Sequence, residues 1–501
     1  MLGVPATFTL LLLSYLIFRT LVLYTYRILY HPLARFPGPK ISAATRWREA
    51  YYDLFYGMGG QYTREISRMH EEYGPVLRIG PNEISVNDPW FHEQVYATHP
   101  EVRNKIPMIA NILGTTEGTF GSIDHHMHRK RKAACSVFFS DSNIVKAEPM
   151  LRRHVENFSN RLKEGGSAAV WKLRVNFIAL KLDIFSNFAF GSPLGLQEDP
   201  KEANGWDDTM EVFGVVGPWL KMFPWILPIA VNFNPTLVNT VWPAIGRILF
   251  LRQAEKAIQN LPRFEDQKNN EPTGLFQVLL ESNLSDHDKD VPRIAQEGSE
   301  MLSASGTTAR VMSSCMFWLL ERPETLRRLQ KELDEAIPDP GQIPLTKELE
   351  KYPYMDAVIK ESLRMAAPVA TRLPLVAPRA IQYKEWSIPA GTAISVNGRD
   401  VLHNPDIFDD PHTFLPERWL AVKKIPDQFF VPFGKGTRMC LGRYLAMKEL
   451  QTTVATLFRR FEFELVDTMR ENDVEVVRDC FLTDVKPGSS GVKVRVAGLR
   501  D

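Results

Sequence analysis

Cysteine is scarce in this chain of 501 residues: Cys135, Cys315, Cys440 and Cys480 stand far apart, with no Cys-x-x-Cys spacing. That excludes a disulfide framework and a zinc site of the clustered-cysteine kind. It suits a reducing compartment, with one thiol left over for chemistry. Net charge is nearly absent as well. Sixty Lys and Arg against 59 Asp and Glu leave +1, which removes bulk electrostatic attraction to nucleic acid. There is no internal repeat, and one stretch alone reads as a membrane span.

That stretch is Val4 to Tyr26. Arg19 interrupts it at a cost of roughly 2.5–3.5 kcal/mol, whereas about a dozen Leu, Ile, Val and Phe each return about 0.3–0.6. The sum favours insertion, and Arg19 is off-centre enough to reach the interface. No small-residue cleavage site follows, so a retained anchor over residues 1–29 is expected. Arg27, Arg35 and Lys40 come after it and place the remainder in the cytosol. His31-Pro32-Leu33 and Phe36-Pro37-Gly38-Pro39 cannot continue a helix and predict a stiff Pro-rich hinge over residues 30–45. Residues 46–501 then read as one large mixed domain.

Within it, Val76, Ile79, Ile84 and Val86 flank a Gly80-Pro81-Asn82 turn and predict a hairpin from Gly74 to Asp88. Trp90 to Thr98 reads as helix, followed by a Gly- and Thr-rich loop from Ile109 to Gly121. Asp124 to Lys132 is dense in His125, His126, His128, Arg129 and Arg131. No acidic or cysteine partner makes a metal site of it, and the plain reading is a solvated basic helix face. Phe213 to Val231 is apolar and aromatic, yet Pro218, Lys221, Pro224 and Pro228 argue against a spanning helix. It reads as a loop capping a channel, or as an ordinary core helix pair. Asn269 to Thr273 and Ser285 to Asp290 are polar breaks.

Arg293 to Leu320 is the longest helical pattern, stopped by Pro323. Its middle, Ser303-Ala304-Ser305-Gly306-Thr307-Thr308, is built of small, hydroxylic, poor helix formers. Lys360-Glu361-Ser362-Leu363-Arg364 puts Glu361 and Arg364 on one helical face, and Phe414-Leu415-Pro416-Glu417-Arg418-Trp419 follows. Leu373 to Val396 alternates like strands about Pro389-Ala390-Gly391, and Phe461 to Val466 with Val492 to Val496 read as closing strands. Between these stands Phe430 to Leu450, where Gly434 and Gly436 allow tight turns and Cys440 precedes an apolar-periodic helix. A thiol at that junction has its thiolate favoured by the helix dipole and nearby amides, and such a thiolate is a good axial ligand for haem iron. A buried structural cysteine is the alternative.

The spacing Phe433-Gly434-x-Gly436-x-Arg438-x-Cys440-x-Gly442 resembles the haem-ligand signature of the cytochrome P450 family at every fixed position. The resemblance extends over about four-fifths of the chain. It implies a mainly α fold with a small β region, a triangular helical prism around a buried haem b, behind an N-terminal transmembrane helix. It implies Cys440 as iron ligand and Glu361, Arg364 and Arg418 as a structural triad under the cysteine loop. His128, Lys132, Arg372 and Arg438 are expected on the haem propionates. Thr307, with Thr308, matches the threonine that hands protons to dioxygen, although Gly306 stands where an acid is usual and Ala304 where a glycine is.

The implied activity is a monooxygenase that takes NADPH-derived electrons from a reductase. Arg129, Lys130, Lys435 and Lys448 are the candidate docking cations. His31 to Lys40, Asp124 to Lys132 and Thr371 to Arg379 resemble fungal members that oxidise terpenoids and related secondary metabolites, including the trichodiene oxygenase group, which implies an apolar small-molecule substrate of terpenoid, polyketide or alkaloid type. The endoplasmic reticulum membrane is the expected site. A haem-thiolate isomerase or dehydratase needing no reductase, and a catalytically idle haem-binding protein, are the alternatives.

Overall fold

The computed structural model describes residues 4–226, 229, 240, 273–421 and 425–500. Helix α1 (Val4–Leu29) leads the chain. From Phe8 to Leu29 none of it is buried in the protein. At 1.5 Å per residue those 22 residues span about 33 Å, the thickness of a bilayer's hydrocarbon core. The Pro-rich segment behind it does not hang free. Leu33 and Phe36 are buried, Phe36 stacks against Trp386 at 4.9 Å, and Arg27 donates to the Ala44 carbonyl at 2.7 Å.

The predicted hairpin forms as β1 (Val76–Gly80) and β2 (Glu83–Val86), paired antiparallel with Val76 opposite Val86. Three further strands join them: β3 (Asn104–Lys105), β5 (Leu375–Val376) and β8 (Ala393–Ser395), in the order β1-β2-β8-β5-β3. β4 (Trp171–Lys172), β12 (Lys493–Leu499) and β9 (Phe461–Leu465) make a second sheet, in which the two closing strands pair antiparallel. β6 (Ile381–Tyr383) with β7 (Trp386–Ile388), and β10 (Arg478–Cys480) with β11 (Leu482–Asp484), are hairpins.

Most of the core is helical. We label α2 (His125–Phe138), α3 (Leu173–Phe190), α4 (Pro200–Met222), α5 (Val291–Glu321), α6 (Pro353–Ala366) and α7 (Arg443–Arg460). α5 opens with Pro292 in its first turn and stops before Pro323, as the fixed proline φ permits at one end and forbids at the other. Its hydroxylic middle stays helical, with side chains that bond backwards along the helix: Ser303 to the Ser299 carbonyl at 2.8 Å and Thr307 to that of Ala304 at 2.8 Å. α3 packs along α5 with nearly every residue buried, and Phe138 stacks on Phe188 at 4.2 Å.

Three local readings change. Trp90 to Thr98 is helical only as a 3-10 turn at Pro89–Phe91 and one turn at His92–Val95. The loop from Ile109 starts inside a short helical stretch, Pro107–Ala110, that runs into Asn111–Leu113. Phe213 to Met222 is the end of α4, which carries Pro218 within it. Residues 227–228, 230–231 and 269–272 of the other two readings lie outside the described residues.

One buried ion cluster joins the start of the body to the end of α4. Arg372 donates to Glu83 at 2.7 Å and to Glu49 at 2.8 Å. Arg46 bonds both glutamates, and Lys221 of α4 pairs with Glu49 at 3.0 Å and with Asp53. Arg372 comes first among the charges that hold Glu49 and Glu83 below the ordinary glutamate range against the cost of burial. Arg372→Met strands those carboxylates. It is expected to cost about 3–5 kcal/mol of stability, read as a lowered denaturant midpoint, whereas Lys331→Met on the exposed face changes it by less than about 0.5 kcal/mol.

Candidate active site

The loop that presents Cys440 is fixed by its backbone. The Cys440 amide donates to the Phe433 carbonyl at 2.9 Å and the Thr437 amide to that of Ala97 at 3.2 Å. Gly434 and Gly436 both take positive φ, 68° and 69°. Gly436 has a second reason to be glycine: a Cβ there would lie 2.2 Å from the Tyr96 carbonyl oxygen. Gly442 caps α7, which starts at Arg443. From α2, Lys132 Nζ donates to the carbonyls of Thr437 at 2.8 Å and Met439 at 2.6 Å, clamping the residues on either side of Arg438. Phe433 packs against the helical core.

Behind the loop lies the brace. Glu361 and Arg364 are fully buried and paired through two bonds, at 2.9 and 2.8 Å. Arg418 Nε reaches the same carboxylate at 3.2 Å. Two partners were not legible in the motif: the Leu415 amide and the Trp419 indole N–H, both donating to Glu361 at 2.9 Å. Tryptophan at 419 thus brings a donor that phenylalanine lacks. Arg364 in turn holds the carbonyls of Leu402 and Pro411.

Cys440 is exposed, but onto an internal cavity of about 720 Å³ and not onto the outer surface. Burial pushes its thiol up, while the Gly442 amide, Lys132 and Arg443 pull it the other way. Thr307 and Thr308 of α5 are on the wall of the same cavity, with Thr308 buried. A side chain at Gly306 would point to Leu482 and Met210, both at 3.6 Å.

Among the basic groups on that wall are Lys105, His128, Lys132 and Arg438. Arg438 spends Nη1 and Nη2 on the carbonyls of Ser122 at 2.6 Å and Ile123 at 2.9 Å, leaving Nε buried without a partner. His128 Nδ1 is likewise orphaned, and burial, then Arg438, drive its imidazole down to about 2, so it is neutral. Burial lowers Arg438 to about 10 and Lys132 to about 8. Lys105 on β3 donates to the Phe120 carbonyl and sits 3.3 Å over the Phe120 ring. No carboxylate among the described residues ion-pairs with any of the four. Buried basic groups without an ion-pair partner are costly in their charged form, and this set, with His128 as a neutral donor, fits a dianionic group such as the two propionates of haem.

Arg372 is not part of the set. Thr371 and Leu373 line the cavity, whereas the Arg372 guanidinium turns to Glu83 and Glu49. Lys105, which no motif marked, stands in the wall instead, on the two-residue polar strand Asn104–Lys105. Also unmarked are Glu297 and Glu300, which hold the Gly- and Thr-rich loop. Glu297 accepts from the Thr119 amide and hydroxyl; Glu300 accepts from the amides of Phe120 and Gly121 and the Thr115 hydroxyl. Burial, then Glu297, push Glu300 up to about 8.

The basic surface is smaller than expected. His126, Arg129 and Lys130 are exposed, but His125 is buried, and buried Arg131 pairs with Asp288 at 2.9 Å. Lys435 donates to the Asp427 carbonyl. Lys448 is buried and bonds the Thr346 hydroxyl at 3.2 Å, which takes it out of any docking face.

The two loop glycines give a paired test. Gly436→Ala is expected to abolish haem incorporation, because backbone blocks the new Cβ. Gly434→Ala, with nothing within 4 Å, is expected to lose only about 1–2 kcal/mol from its φ and to retain the Soret band.

Comparison with known sequences agrees with this geometry. The cytochrome P450 family pattern matches residues 45–488. A tryptophan 6-hydroxylase of Fusarium equiseti is 35% identical over 478 residues, covering 94% of this chain and 93% of the relative. An N-acetyltryptophan 6-hydroxylase of Emericella nidulans is 34% identical, covering 98% and 97%. A conidiogenone synthase of Penicillium rubens is 33% identical, covering 95% and 96%. A family match over most of the chain and relatives of this coverage, beside a cysteine loop and a buried Glu-Arg-Arg cluster, lead to one conclusion: the chain belongs to the cytochrome P450 family and is a haem-thiolate monooxygenase.

Proposed function

We propose that Cys440 is the axial thiolate and that Lys105 and Arg438, with His128 and Lys132, receive the two haem carboxylates. The observation that carries this reading is a cysteine and four basic groups without counter-ions on the wall of one cavity. Bound haem supplies the oxidative chemistry, splitting dioxygen with two NADPH-derived electrons so that one oxygen atom enters the substrate and the other leaves as water. Lys132 and the Glu361 brace hold the loop so that the sulfur needs no rearrangement to ligate. Thr307 Oγ1 is the hydroxyl that passes protons on the facing wall. With no acid at Gly306, it depends on other groups of the wall for them.

The substrate is a small molecule of secondary metabolism with an apolar body, in keeping with Ile109, Phe120, Ile178 and Phe185 on the cavity wall. Two of the relatives are named for hydroxylating tryptophan or its N-acetyl derivative, which favours an aromatic body. NADPH–cytochrome P450 reductase docks where Arg129, Lys130 and Lys435 lie near the cysteine loop. α1 anchors the protein in the endoplasmic reticulum membrane with residues 46–501 as the cytosolic catalytic domain. An aromatic belt supports a second membrane contact: exposed Trp47, Tyr51, Phe55, Trp219 and Trp225 form a linked patch, with Phe55 5.9 Å from Trp219 and Trp47 6.3 Å from Phe223. Such rings favour the headgroup level.

Cys440→Ala is expected to lose the thiolate-type carbon monoxide difference spectrum and all NADPH-dependent product; an unchanged spectrum would sink the assignment. A form lacking residues 1–29 is expected still to co-sediment partly with phospholipid vesicles, and to lose that binding when Trp219 and Trp225 become serine.

A further inference from the structure

The cavity has a charged end that neither the iron site nor an all-apolar ligand uses. Arg310 lies on α5 four residues beyond Gly306, on the same helical face, and lines the cavity together with Arg174, Asp207, Glu211 and Asp484. An arginine in the middle of a cavity-lining helix is costly unless its donors are taken. Those of Arg310 are mostly not. Its Nη2 touches Asp484 Oδ1 at 3.2 Å, and its Nε is buried with no partner.

Asp484 does not need Arg310 for neutralisation. Arg478, which is not part of the cavity wall, holds the other carboxylate oxygen with two bonds, 2.8 Å from Nε and 2.5 Å from Nη2. The Val485 amide adds a third donor to Oδ1 at 3.0 Å. One carboxylate therefore serves two guanidinium groups, and the one that meets the cavity, Arg310, keeps donors that no protein group among the described residues takes. Asp207 and Glu211 share Arg174, at 2.8 and 3.5 Å, so the three arginines and three carboxylates balance in charge, and what Arg310 offers the cavity is its untaken donors. Donor groups in a low-dielectric cavity reward an anionic partner far more than an exposed arginine does.

We propose that Arg310 is a specificity-determining residue that binds a carboxylate on the substrate, the apolar body extending from there toward Cys440. This rests on the haem-thiolate reading and deepens it: the substrate is an organic acid with an apolar body. A merely structural Arg310 would do no more than tie hairpin β10–β11 to α5.

The test uses the holoenzyme and ligands whose binding does not depend on knowing the substrate. A chain-length series of ω-(imidazol-1-yl)alkanoic acids and their methyl esters binds haem iron through the imidazole and is read by the optical difference spectrum. At the length that reaches Arg310, the acid is expected to bind about tenfold or more tighter than its ester. Arg310→Gln should bring that ratio to about one. Asp484→Asn should raise it, because the competing carboxylate is gone while Arg310 stays. The proposal is overturned if no length shows the preference, if the preference survives in Arg310→Gln, or if Asp484→Asn lowers it as Arg310→Gln does. That last pattern marks a role in holding the hairpin alone. A wild-type protein that gives no imidazole spectrum with either series refutes the haem site itself, and this inference with it.

Discussion

The carboxylate of Glu361 is the constraint on which the cysteine side depends. It accepts from two arginines, a backbone amide and an indole, and is itself fully buried. Each donor comes from a segment that has no other reason to be near its neighbours: α6 itself and the irregular chain from Leu415 to Trp419. Arg364 then extends the network to the carbonyls at Leu402 and Pro411. Irregular backbone can be buried only if its polar groups are paired, and this cluster pairs them. The chain from Leu402 to Trp419 is thereby fixed, while the cysteine loop is held by its own amides and by Lys132.

The opposite wall follows a different logic. α5 is a long regular helix whose small hydroxylic residues bond to its own carbonyls, which leaves room beside it without breaking it. The loop across from it is tied down by Glu297 and Glu300. Between these walls the chain leaves several donors unmatched, at His128, Arg438 and Arg310. Other buried polar atoms are unpartnered too, among them atoms of Arg78, Trp171 and Thr452, but these three residues face one cavity, which His128, Arg438 and Arg310 all line. It coincides with the space that a cofactor and a substrate fill.

The elements legible in the sequence were those whose signal is local. The β1–β2 hairpin has its turn residues, α5 its proline bounds, the cysteine loop its glycines, and the two halves of the triad their short motifs. The misreadings concern long cationic side chains. Arg372 sits beside two wall residues, yet its guanidinium follows Glu49 and Glu83, more than 280 residues away in sequence. Lys448 reads as a surface charge on an amphipathic helix but points inward to Thr346. Lys105 carries no motif because its place comes from the pairing of β3 with β5. Such side chains are placed by tertiary partners that no window of neighbouring residues contains.

The ion cluster at the end of α4 has a mechanical consequence. α4 carries Met210, Glu211 and Gly214 of the cavity wall, and its last turn is pinned through Lys221 to Glu49 and Asp53. Those acids flank Tyr51 and Phe55 of the aromatic belt and lie just after the anchor. Lifting α4 to admit a ligand means pulling a buried ammonium away from two carboxylates, or dragging that belt along. The part of the cavity wall that α4 supplies is thus tied to the aromatic patch after the N-terminal helix, and a movement of one is a movement of the other.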